Sequence, residues 1–204
     1  EVGSKDFWSE VRLEAVKMAF NFDRIDEEKI LGFLGDESFD VKKEGVRLVV
    51  QKGISTQRIG KSLIEIALNN KIRGDVREES AMAFGRLCLK GFEKKLVKVV
   101  EEGLYPDSGE SQIYTASAAI KSLGMLGWKG AVEVLELALS SGIRGEIKIS
   151  AIEALGKIGG NDAVRLLELV RKDSDKYVRE VAEIALENAK KGGKKECGVV
   201  KDPK

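Results

Sequence analysis

Residues 145–164 read GEIKISAIEALGKIGGNDAV. Counted from Ile147, the residues Ala151, Ala154, Leu155 and Ile158 fall on one stripe of a helix, together with Gly156 and Gly159. Alanines on such a stripe let a neighbouring helix come close, and the glycines are expected to give the chain a tight exit from the helix. Asn161-Asp162 then caps a second helix with the apolar set Ala163, Val164, Leu166, Leu167 and Val170. The stretch is an antiparallel helix pair with a very short turn.

The same phase recurs along the chain. Anchors equivalent to Ile147 stand at Val11, Val41, Val76, Thr115 and Val178, at intervals averaging about 33 residues, the period of stacked helix pairs. A basic residue follows most anchors: Arg12, Lys42, Arg77, Lys148 and Arg179. A small residue comes at offset four, as in Ala15, Gly45, Ser80 and Ala182. Thr115 lacks the basic follower but recovers the pattern with Ala119, Leu123, Gly124 and Gly127. Second helices are expected at about 26–34, 55–68, 92–104, 130–140 and 162–172, each with an apolar stripe and a polar or Gly-rich break after it.

The runs VREESAMAFGRLC (76–88), IKISAIEALGKIG (147–159) and VREVAEIALENA (178–189) resemble HEAT repeats, specifically the short variety shared with phycobilin-lyase-type proteins. The resemblance covers nearly all of residues 9–190. It implies an all-α fold: a right-handed α-solenoid of about six antiparallel helix pairs, with first helices on the outer convex face and second helices on the inner concave one. Stacking is also what elementary physics requires, because one helix pair cannot bury both its faces alone.

This organisation divides the chain into an N-terminal cap (1–8), a single repeat array (9–190) and a basic tail (191–204). Ser9 can N-cap the first helix, with Trp8 beside it covering the open end. The tail, Lys- and Gly-rich and without periodicity, is expected to be disordered. One connection is longer than the others: 103–110 carries Tyr105-Pro106-Asp107, a break between helices. Tyr105 and Asp107 are its candidate contact residues.

Composition narrows the function. The 204 residues contain no histidine, 34% charged residues and a net charge of +1. Without imidazole the common general base, the common zinc ligand and the usual partner of a serine or cysteine nucleophile are missing. Phosphate-cradling glycine loops are absent as well. Catalytic residues, metal ligands and a cofactor are therefore not expected, and carboxylate pairs such as Glu78-Glu79 and Glu101-Glu102 read as solvated helix faces. Cys88 and Cys197 form no metal-binding pair and give no disulfide framework. Cys88 reads as a small core residue replacing a turn glycine, and Cys197 as an exposed thiol, which suits a reducing cytoplasm. Trp8 and Trp128 read as packing residues. No stretch is long and apolar enough to span a membrane.

What remains is a surface. If second helices line the concave face, their polar residues are the candidate site: Arg58 and Lys61, then Lys94, Lys95 and Lys98, then Glu133 and Glu136, then Arg165 and Glu168. The basic members would take an acidic segment of a protein partner, unless opposite charges on adjacent helices simply pair. The function expected is a non-enzymatic interaction scaffold, monomeric and cytoplasmic. The alternative is a bilin-lyase-like protein or a HEAT-like DNA-repair protein of the alkylpurine glycosylase type, and nucleic acid is expected to bind only weakly through the tail.

Overall fold

The computed structural model describes residues 2–22, 25–140, 144–193 and 197, with side chains from residue 8 onward. Among them the chain forms eleven α-helices and no strand. The anchored first helices are α1 (Val2–Ala19), α3 (Phe39–Lys52), α5 (Gly74–Leu87), α7 (Glu110–Leu126), α9 (Gly145–Ile158) and α11 (Lys176–Lys190). Between them lie the second helices α2 (Glu27–Gly35), α4 (Gln57–Leu68), α6 (Glu93–Leu104), α8 (Val132–Ala138) and α10 (Asn161–Val170). A single 3-10 turn at Lys129–Ala131 leads into α8. The architecture is an all-helical solenoid.

Its local rules follow from the repeated positions. Val41, Val76, Ile147 and Val178 are buried as the anchors should be, whereas Val11 on α1 is 46% exposed, because no described residue covers that side of the first helix. The residue twelve after the anchor ends the helix at positive φ: Gly53 (φ 64°), Cys88 (φ 55°) and Gly127 (φ 62°) in the left-handed helical conformation, and Gly159 (φ 65°) with an extended ψ. Cys88 does therefore stand where the other repeats use glycine.

The basic follower has a structural task. Lys42 Nζ donates to the Leu34 carbonyl at 2.6 Å, Arg77 Nε to the Ala67 carbonyl at 3.0 Å and Arg179 to the Asp173 carbonyl at 2.7 Å. Each oxygen lies at or just beyond the C-terminal end of the preceding second helix, whose last carbonyls lack helical partners and carry the negative end of the dipole. Arg77, only 2% exposed, also reaches Glu102 at 3.3 Å. Burial pushes the pKa of Lys42 and Arg77 down from their ordinary values. The residue is a clamp between repeats.

The glycines nine after the anchor do something the sequence reading missed. Gly85, Gly124 and Gly156 do not release the chain from its helix; they sit inside α5, α7 and α9. A Cβ on Gly124 would come within 2.7 Å of the Ala154 Cα, and one on Gly156 within 2.9 Å of the Ala185 Cα. Backbone therefore lies against backbone along α5–α7–α9–α11. Second helices, by contrast, only graze one another. A stack of helix pairs curves toward the layer whose axes lie closest, so the first helices form the inner side and the second helices the outer. This reverses the expected placement of the two layers.

Three further expectations change. α1 starts at Val2 and runs straight through Ser9, so Ser9 lies within the helix rather than at its N-cap, and residues 2–8 continue the first helix. Trp8 lies 60% exposed. Cys88 and Cys197 are joined in a disulfide with a Cα–Cα distance of 5.2 Å, so neither is a free thiol, and cysteine usage no longer argues for a reducing compartment. The expected tail of 191–204 lies outside the described residues at 194–196 and 198–204. Among the described residues, no helix is long and apolar enough to cross a membrane.

Candidate functional site: a groove across the inner helices

A groove of about 580 Å³ crosses α5, α7, α9 and α11 on the inner side. Its position follows from the repeat. Residues one before, two after and six after the anchor lie about one turn apart, spanning two turns of the helix face opposite the buried stripe. At these positions stand Glu78 and Met82 on α5, then Tyr114, Ser117 and Lys121 on α7. Glu146, Ile149 and Glu153 follow on α9, and Tyr177 on α11.

Ser117 and Ser150, both buried, share a hydrogen bond of 2.6 Å that ties α7 to α9 in the floor. Asp175 lines the groove but is committed to capping α11, accepting from the Tyr177 backbone N–H at 2.7 Å. Tyr114 and Tyr177 expose 44% and 61% of their surface. Among the described residues, Glu78, Glu146 and Glu153 have no cation within ion-pair distance. Desolvation raises the pKa of Glu78, and the nearby Lys121 only partly offsets this. With Lys121 the one basic side chain in the lining, the groove is acidic and partly aromatic.

Toward the N-terminal end the same face is closed by ion pairs. Lys43 on α3 holds Asp75 on α5 at 2.7 Å, and Arg47 holds Glu79 at 2.9 Å. Arg73 bridges Asp75 at 2.6 Å and Asp40 at 2.7 Å, with its guanidinium 6.0 Å from the Phe39 ring centre. The hydrogen bond from Arg73, then that from Lys43, holds the Asp75 carboxyl well below the usual carboxylate range. Only a crevice of about 220 Å³ is left there.

None of the basic candidates read from the sequence lines the inner groove. Arg58 and Lys61 lie on α4, and Lys94, Lys95 and Lys98 on α6, all exposed on the outer layer. Arg58 is paired with Glu28 and lies 3.7 Å from Glu27. Glu133 and Glu136 lie on α8 and Arg165 and Glu168 on α10, where Arg165 meets Glu136 at 3.5 Å. Glu168 is drawn to Lys190 and Arg171, both at 2.9 Å, which lowers its pKa. Arg58, Glu136, Arg165 and Glu168 therefore pair across adjacent helices, whereas among the described residues Lys61, Lys94, Lys95 and Lys98 take part in no ion pair. Tyr105 and Asp107 are exposed in the loop between α6 and α7, away from the groove, and Ser108 fastens that loop by donating to the Glu102 carbonyl at 2.6 Å.

The groove residues were missed because the resemblance directed attention to the second helices. The available signal was the set of first-helix positions that avoid the apolar stripe, where Tyr114 and Tyr177 stand in place of Asp40 and Asp75, and Glu153 in place of Arg47.

Residues 108–187 match the family model of HEAT repeats. Among solved structures, the chain is similar to a designed armadillo repeat protein, at 19% identity and a TM-score of 0.52, over 87% of this chain and 92% of that one. It is also similar to an engineered protein solved by crystallography, at 20% identity and a TM-score of 0.56, over 91% of this chain and 92% of that one. At these identities the likeness establishes the fold. No curated protein matches the chain.

Proposed function

We propose that this solenoid of HEAT repeats is a non-enzymatic interaction scaffold whose inner groove receives an extended, positively charged segment of a protein partner. One observation carries the reading: among the described residues, Glu78, Glu146 and Glu153 have no ion-pair partner in a groove that crosses four consecutive first helices, α5, α7, α9 and α11. An unpaired carboxylate beside a groove wall, as Glu78 is, is favoured by an incoming cation. Tyr114 and Tyr177 add broad apolar area, with a ring face that attracts ammonium and guanidinium groups. The acidic partner expected from the outer basic helices is replaced by a basic one. The same lining repels a phosphate backbone, so the groove does not support a DNA-repair reading.

The test is a titration of the full chain with a lysine-rich and a glutamate-rich fluorescent peptide at two salt concentrations. Binding of the lysine-rich peptide, weakened by salt and lost with Glu146→Lys combined with Glu153→Lys, is the expected result. Preference for the glutamate-rich peptide, lost on charge reversal of Lys94 and Lys98, would return the site to the outer layer and end this proposal.

A further inference from the structure

Tyr114, Glu146 and Tyr177 hold the same place, one residue before the anchor, on α7, α9 and α11. The three helices run parallel and in one rotational phase, because Gly124 meets Ala154 through the same contact by which Gly156 meets Ala185. All three side chains line the groove. They form a row of ring, carboxylate and ring, one member per helix.

The step of that row restricts what can lie along it. Packed helix axes stand about 8–10 Å apart, at the short end where glycine meets alanine. A polyproline II segment advances about 3.1 Å per residue with three residues per turn, so every third side chain returns to one face after about 9 Å. A β-strand returns a side chain to one face every second residue, after about 6.6 Å, and falls out of step with the row. The charge order restricts the occupant further. Glu146 at the centre calls for a cation, while the flanking tyrosines call for apolar side chains, and Lys121 on the helix of Tyr114 disfavours a second cation there.

Resting on the groove as a cation-accepting partner site, we infer that its occupant is a partner-protein segment in polyproline II conformation. The segment carries a lysine or arginine with an apolar residue three positions before it and another three positions after it. The cation meets Glu146, and the apolar residues lie on Tyr114 and Tyr177. Tyrosine suits this task because its large contact area costs little side-chain entropy to fix. The backbone of such a segment stays solvated, so it needs no sheet edge, and an all-helical solenoid offers none.

The experiment compares two fluorescent peptides of identical composition, titrated into the full chain by anisotropy. One places the apolar residues three positions from the lysine, the other two positions. The three-residue spacing is expected to bind roughly tenfold tighter. Tyr177→Ala should erase most of that preference, and Glu146→Gln should weaken the better peptide, with circular dichroism showing both variants folded. Equal affinity for the two peptides overturns the inferred spacing while leaving the cation-accepting groove intact. Failure of both peptides to bind, together with failure of a lysine-rich peptide, overturns the groove reading itself. Self-association of the unliganded chain that Glu146→Gln abolishes would assign the groove to a second copy, and the inference would fall.

Discussion

At the start of α5, the N-cap Arg73 and Asp75 precede the anchor by three residues and one; at the start of α9, the N-cap Arg144 and Glu146 stand at the same two places. Asp75 is held by Arg73 and Lys43, and Arg73 reaches on to Asp40. Among the described residues, Arg144 and Glu146 take part in no ion pair. The cause lies on the neighbouring helix. α3 presents Asp40 and Lys43 to α5, whereas α7 presents Tyr114 and Ser117 to α9 at the equivalent positions. One pair of substitutions on one helix therefore separates a face closed on itself from a face left open to a ligand.

The clamp residue gives the harshest test of this difference. Arg77 is buried with two partners, while α7 uses Ala116 at the equivalent position. Arg77→Ala should cost about 3 kcal/mol in urea unfolding, since it strands the Ala67 carbonyl and opens a cavity. A loss under about 0.5 kcal/mol would show that the clamp is as dispensable in α5 as in α7.

The next effect concerns the seam beneath the groove. Gly124→Ala drives a methyl group against the Ala154 backbone, which should outweigh the gain in helix propensity and cost about 1–2 kcal/mol net. A more stable variant, read from the urea midpoint, would disprove backbone-to-backbone packing there.

Asp75 and Glu146 should then separate stability from binding. Asp75 is part-exposed, so its contribution is modest: Asp75→Asn should lower stability at pH 7 by about 1 kcal/mol without changing peptide affinity. The folded carboxyl titrates below its unfolded value near 3.9, so this stability is present above that pH and is lost as pH falls through the folded pKa. Wild type and Asp75→Asn should therefore converge in acid. Tyr114→Asp should do the converse. It places on α7 the acid that Asp40 supplies on α3, gives Arg144 a partner and abolishes peptide binding, with stability within about 0.5 kcal/mol of wild type.

The smallest effect belongs to Glu78, whose pKa is raised chiefly by burial. A carboxylate with a raised folded pKa opposes folding at neutral pH, and the penalty fades as pH falls through that value. Glu78→Gln should be more stable than wild type at pH 7 by a few tenths of a kcal/mol, with the gap closing on acidification. A destabilised variant would mean that Glu78 holds the groove together rather than waiting for a cation.

The sequence alone determined the helix pairs, the anchor phase, the turn position that Cys88 shares with the glycines, and second-helix limits within a few residues. These are local matters: a 3.6-residue period and a positive-φ exit are written in neighbouring residues. Tertiary structure alone decided which layer faces inward, and with it the sign of the groove. That choice depends on how closely Gly124 approaches Ala154 and Gly156 approaches Ala185 across consecutive repeats. It depends also on whether a charge such as Glu146 meets a partner from the helix beside it. Both are distances between segments about 30 residues apart in the chain, and helical periodicity encodes the face of each helix but not its spacing from the next.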